Sequence, residues 1–229
     1  MSLMSPITKV CGMRDADNIR AVEQLLTEHA TLRSSLAMHR PPSSPQDSTA
    51  WIGFIFWPHS KRYVHEKPAY LPVNAKRVGV FVDQDAETVV RVARDFAIDI
   101  IQLHGHESPE YVRQLHQWTT IKAFNISTAS DLSATAPYEG IVDYFLFDTK
   151  GKTVGGNGEK FKWSVLSHYD GQTPFLLSGG IGPQDAALIK TFHHPLFAGI
   201  DLNSRFEMAP GIKDTEALRA FLNELTINI

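Results

Sequence analysis

Cys11 and Asp148 are the two residues whose chemistry could divide a proton-transfer reaction between them. Unperturbed, a thiol ionises near ~8.5 and an aspartate near ~3.9. One suits a base and the other an acid at neutral pH only if the first value is depressed and the second raised. A neighbouring cation or a helix N-terminus would do the first, and burial the second. Each residue also has a plainer reading, the cysteine as a small buried hydrophobe and the aspartate as a loop cap. Arg62, in His59-Ser60-Lys61-Arg62-Tyr63, offers a planar fork suited to a carboxylate, or is simply a solvated surface arginine. His104 either orients a substrate or caps a strand. Ser178-Gly179-Gly180, together with Asp201 and Asn203-Ser204, could bring backbone N–H groups up to a phosphate. The alternative is that the glycine pair is only a tight turn. His193-His194 before Pro195 reads as structural, and no His/Cys/Asp/Glu cluster has metal-ligand spacing, so no metal is expected.

The elements that must position these residues are short apolar runs of β type. They cover Ile7–Cys11, Trp51–Phe56, Arg77–Val82, Ile98–Leu103, Thr120–Phe124, Tyr144–Phe147, Pro174–Leu177 and Leu196–Asp201. Several are apolar on both faces, as strands of a parallel sheet covered on both sides must be. Helix signals lie between them. Ile19, Val22 and Leu26 make one stripe over 17–26, and Val89, Val92, Ala93 and Phe96 another over 86–96. Ser108-Pro109-Glu110 reads as an N-cap, first-turn proline and first-turn acid, and Thr215–Leu225 as a final amphipathic helix. Strand–helix alternation repeated to eight strands predicts a closed (β/α)₈ barrel, one domain over 1–229. The rival is an open doubly wound sheet, but no Gly-x-Gly-x-x-Gly turn follows the first strand. In such a barrel chemistry sits where strands end, and every residue singled out above except His193-His194 falls there. Strands 1 and 6 are three steps apart around the ring, so Cys11 and Asp148 should face each other across its mouth. The loops after strands 7 and 8, which carry Ser178 to Gly180 and Asp201 to Ser204, are where such barrels commonly bind phosphate. The segment 29–49, with Pro41-Pro42 and serines, reads as a loop insertion between helix 1 and strand 2, on the face away from the site.

Composition excludes other classes. Lys and Arg number 22 against 25 Asp and Glu, a net charge of −3, so neither a nucleic-acid footprint nor a charged tail is present. No apolar run reaches the ~20 residues that span a bilayer. A single cysteine cannot form an internal disulfide, and Met1 to Pro6 lacks the pattern of a signal peptide. The expectation is a cytoplasmic enzyme with a small-molecule substrate and no nucleic-acid or membrane partner; a monomer and a homodimer fit equally.

In order along the chain, Lys9-Val-Cys-Gly-Met-Arg14, Gly53-Phe-Ile-Phe-Trp-Pro-His-Ser-Lys-Arg62, Arg77-Val-Gly-Val-Phe-Val82, Gln102-Leu-His-Gly105, Phe147-Asp-Thr-Lys150, Gly155-Gly-Asn-Gly158 with Phe161-Lys-Trp163, Leu177-Ser-Gly-Gly-Ile181 and Pro210-Gly211 with Lys213-Asp214 are similar to the phosphoribosylanthranilate isomerases. The resemblance covers nearly the whole chain. It implies an Amadori rearrangement of N-(5-phosphoribosyl)anthranilate to 1-(2-carboxyphenylamino)-1-deoxyribulose 5-phosphate, a step toward tryptophan, without a cofactor. It implies Cys11 as general base, Asp148 as general acid, Arg62 on the anthranilate carboxylate, and Gly179, Gly180 and the loop after strand 8 on the phosphate. Two features depart from the family pattern: the length of 29–49, and Arg205 where the family commonly has glycine. Another phosphosugar isomerase or epimerase barrel would want a metal cluster or an aspartate in place of Cys11. A non-catalytic barrel binding a phosphometabolite would have no use for a facing Cys11 and Asp148.

Overall fold

Alternation along the strands sorts their side chains into two cores. Ile7, Trp51, Val78, Ile100, Ile121, Leu146 and Leu176 form one buried cluster, while Val10, Ile52, Phe54, Phe81, Ile101, Phe145, Phe147 and Phe175 belong to another. Successive residues of a strand point to opposite faces, so the first set fills the inside of a closed sheet and the second packs under helices. The computed structural model describes residues 6–36, 48–148 and 163–226. Its barrel strands are β1 (Ile7–Val10), β2 (Ala50–Ile55), β3 (Lys76–Phe81), β4 (Ile100–Leu103), β5 (Thr119–Asn125), β6 (Tyr144–Asp148), β7 (Phe175–Ser178) and β8 (Phe197–Leu202). They pair in parallel in chain order, and β8 closes on β1. This is the eight-stranded barrel expected from the sequence.

Two residues further along four of these strands, the inner face turns polar. Lys9 follows Ile7, Gln102 follows Ile100, Asp148 follows Leu146 and Ser178 follows Leu176. The register sets Lys9 beside Asp201 and Asp148 beside Ser178. One end of the barrel interior is therefore apolar, and the C-terminal end gathers the ionisable groups.

The helices are α1 (Ala16–Leu36), α2 (Ala86–Asp95), α3 (Pro109–Arg113), α4 (Ala186–Lys190) and α5 (Thr215–Thr226). Ile19, Val22 and Leu26 are buried as the stripe predicts. Asp85 caps α2 by accepting from the Thr88 N–H, and Ser108 caps α3 by accepting from the Tyr111 N–H. α1 runs on to Leu36, so the first part of 29–49 is helical; 37–47 lie outside the described residues.

Alternation is looser than the sequence pattern suggested. No helix joins β2 to β3, where Pro58, Pro68 and Pro72 remove backbone donors. That connection is pinned instead by buried Glu23 of α1, which accepts from the N–H groups of Val73, Asn74 and Ala75. After β5 and β6 the connections hold 3₁₀ segments, Ala129–Tyr138 and Trp163–His168. A short antiparallel pair, β9 (Glu207–Ala209) and β10 (Ile212–Lys213), lies between β8 and α5 and was not legible as strands.

Candidate active site

Cys11 leaves the end of β1 with its N–H donated to the Leu202 carbonyl at 2.9 Å, and it is buried. Gly53 of β2 lies against it, so close that a Cβ there would sit 2.9 Å from Sγ. Lys9, wholly buried, extends from the same face of β1 and donates from Nζ to Asp201 Oδ1 at 2.8 Å. Ser178 Oγ donates to Asp201 Oδ2 at 3.4 Å. Asp201, expected to meet substrate, is thus engaged by Lys9 and Ser178. Burial pushes the Cys11 thiol up, against the downward pull of Lys9 and Lys213. The sequence reading looked for a depressed thiol; here desolvation outweighs the cations, and their effect is to limit the rise.

A second ionic group lies above the first. Arg62, after β2, grips Glu207 with Nε at 2.8 Å and Nη2 at 2.5 Å from the carboxylate. Lys213, also wholly buried, donates to Glu207 Oε1 at 2.7 Å and to Asn203 Oδ1 at 2.8 Å. The β9–β10 pairing sets Lys213 opposite Glu207. Burial raises the Glu207 carboxyl, but hydrogen bonds from Arg62 and Lys213 outweigh it and bring it down to about 2. The fork of Arg62, read from sequence as suited to a carboxylate, is therefore turned on Glu207 through Nε and Nη2. Gly12, at φ +78°, lets the chain pass beneath: a Cβ there would meet Arg62 Cδ at 2.6 Å.

Across the mouth Asp148 ends β6 on the inner face and is buried. His104 Nε2 lies 3.9 Å from Asp148 Oδ2, and His104 Nδ1 lies 3.0 Å from Gln102 Nε2. His104 thus stands beside the proposed acid, not merely at a strand end. The loop that carries it is tied down by Lys122, which donates to the Gly105 carbonyl at 2.7 Å and pairs with Glu107 at 3.2 Å. Glu107 accepts in turn from the N–H groups of Gly105 and Asp83.

Gly179 and Gly180 follow β7 with φ of +94° and +70°. Left-handed backbone of this kind turns successive N–H groups toward one side and suits an anion. Ser204 opens the 3₁₀ turn Ser204–Phe206 after β8. Asn203 accepts from Lys213 through its side-chain carbonyl. Arg205 Cβ lies 3.5 Å from where a Cβ on Gly182 would be, so the two loops abut.

Every sequence-selected site residue therefore comes to one end of the barrel. Thr149 and the motif at 155–162 lie outside the described residues. Sequence reasoning missed Lys9, Glu207 and Lys213 as site residues, and Glu107 and Lys122 as supports. Lys9 was readable, since it occupies an inward position two residues before Cys11; the other four depend on contacts distant in sequence.

A sequence model of the family described as N-(5'phosphoribosyl)anthranilate (PRA) isomerase matches residues 43–224. An N-(5'-phosphoribosyl)anthranilate isomerase of Phocaeicola vulgatus is 45% identical over 96% of this chain and 97% of its own. A crystal structure of phosphoribosyl anthranilate isomerase from Thermotoga maritima superposes with a TM-score of 0.73 at 26% identity, covering 96% of this chain and 98% of that one. A structure of the same kind of enzyme in complex with reduced 1-(o-carboxyphenylamino)-1-deoxyribulose 5-phosphate gives a TM-score of 0.73 at 25% identity, with the same coverage. This chain belongs to the N-(5'-phosphoribosyl)anthranilate isomerase family.

Proposed function

We propose that this chain isomerises N-(5-phosphoribosyl)anthranilate to 1-(2-carboxyphenylamino)-1-deoxyribulose 5-phosphate, with Cys11 as general base and Asp148 as general acid. The carrying observation is that both lie at the C-terminal end of the barrel, on strand ends three steps apart around the closed ring. Glycines able to hold a phosphate and the cation Arg62 stand at the same rim.

The substrate enters as a closed furanose with nitrogen on C1′. Protonated Asp148 delivers its proton to the ring oxygen, the C1′–O bond breaks, and the nitrogen lone pair forms the iminium. That cation acidifies the C2′ proton, which Cys11 removes as thiolate to give an enolamine. The thiol returns a proton to C1′ while the C2′ hydroxyl loses its own to Asp148, and ketone and both side chains emerge in their starting states. The electron sink is the substrate's nitrogen. Gly179, Gly180, Asn203 and Ser204 hold the phosphate, and Arg62 meets the anthranilate carboxylate. His104, within reach of Asp148, orients the substrate at the acid's side. Asp201 and Ser178 act from behind, through Lys9. The reading includes a cytoplasmic setting, in which a lone thiol base stays reduced. Purified protein mixed with phosphoribosylanthranilate should change the fluorescence of the anthranilate moiety as product forms. No turnover by folded protein would overturn the assignment.

A further inference from the structure

Lys9 is a fully buried ammonium on which the proposed proton transfers make no direct demand. Removing such a charge from water costs several kcal/mol unless its surroundings compensate. Its surroundings are specific. Asp201 Oδ1 receives it at 2.8 Å, and Cys11 is the next inward position along the same strand. Gly53 backs the sulfur from β2 with no side chain of its own.

The charges that face Cys11 come from every element around it. Lys9 stands on β1, Asp201 on β8, Lys213 on β10 and Arg62 after β2; Glu207 on β9 binds the last two. Asp148 and His104 stand across the mouth. The set around the sulfur holds three cations, Lys9, Lys213 and Arg62, against two carboxylates, Asp201 and Glu207. It lacks one anion. An incoming carboxylate on Arg62 can meet the outer part of that deficit. The inner part falls to Lys9, which stands one inward position before the sulfur on the same strand.

We propose that Lys9 is the positioning residue that lets Cys11 work as a base: its ammonium, aimed by Asp201, stabilises the thiolate during proton abstraction. This rests on Cys11 being the base, and it adds what makes it one. Asp201 has a double part, because it fixes the lysine head while its negative charge tempers the effect; Ser178 restrains the carboxylate in turn.

Cys11 is the sole cysteine of the chain, so the ultraviolet absorbance of thiolate reports this one group, with a Cys11→Ser protein as the blank for tyrosine ionisation. Thiolate absorbance and kcat/KM would be followed against pH in the wild type, in Lys9→Met, and in Lys9→Met/Asp201→Asn. The double variant removes both charges and avoids stranding the carboxylate. In Lys9→Met the thiolate midpoint and the acid limb of kcat/KM should rise together by at least about one pH unit, a roughly tenfold loss of thiolate at fixed pH below the midpoint; in the double variant, which also removes the opposing charge of Asp201, both should rise by less. KM should change far less than kcat. A thiolate midpoint unmoved in folded Lys9→Met or, should that variant not fold, one at or below the wild-type value in the double variant would overturn the proposal and leave Lys9 a structural residue. Retention of activity by Cys11→Ala would instead overturn the base assignment itself, so the two failures are told apart.

Discussion

Arg62 and Glu207 show how a residue identified by type acquires a more exact part from its neighbours. The arginine was legible as a rim cation, and its grip on Glu207 was not, because the partner comes from a hairpin far along the chain. Arg62→Ala should raise KM for substrate and weaken a product analogue by about 2 kcal/mol through loss of a charge-assisted bond. An analogue without the carboxylate should lose much less; equal losses for the two would refute the pairing. Lysine at 62 restores charge but cannot bind Glu207 and ligand in the same fixed plane. The carboxyl of Glu207, at about 2 when folded against an ordinary 4.5, contributes stability that is complete above 4.5 and disappears as pH falls toward 2. Glu207→Gln should flatten the acid side of a denaturation-midpoint profile in that window. An unchanged slope would show that the Arg62 and Lys213 bonds do not persist in solution.

At the scale of elements, strands were readable and their connections less so. A strand buried on both faces is a dense apolar run, and its parity places Cys11, His104 and Asp148 on the inner wall without further information. The proline-bearing β2–β3 link and the 3₁₀ segments are set by tertiary anchors such as Glu23, which no local pattern reveals. The contact between β1 and β2 carries a sharp prediction. Gly53→Ala introduces a methyl 2.9 Å from Cys11 Sγ, so the thiol must move. Misplacement of a reacting group on that scale can lower kcat on the order of 100-fold, and circular dichroism should meanwhile show an intact fold. Unaltered kcat would mean that the sulfur has room to shift harmlessly. α1 gives a second test. Burial, helped by Arg33, holds His29 at about 4 against an ordinary 6.5. It stays neutral in the fold while the unfolded chain takes up a proton, so stability is undiminished above 6.5 and falls as pH drops toward 4. His29→Leu should abolish about 3 kcal/mol of that loss in denaturant titrations.

For the molecule as a whole, the barrel separates stability from chemistry. The ionic clusters gather at one end, whereas α1 ends and β2 begins at the other. Shortening 37–47 should therefore leave kcat/KM nearly unchanged, since the chain leaves Leu36 and returns at Ser48 on the end remote from Cys11. The central claim is that two residues on opposite sides of the mouth pass protons to and from one substrate. Its most direct test is kcat for phosphoribosylanthranilate in Cys11→Ala and Asp148→Asn, beside substrate affinity in each. Both variants should bind nearly as the wild type and lose about 10²–10⁴-fold in kcat. A folded Cys11→Ala enzyme keeping more than about a tenth of wild-type kcat, far short of a general-base contribution, would contradict the account.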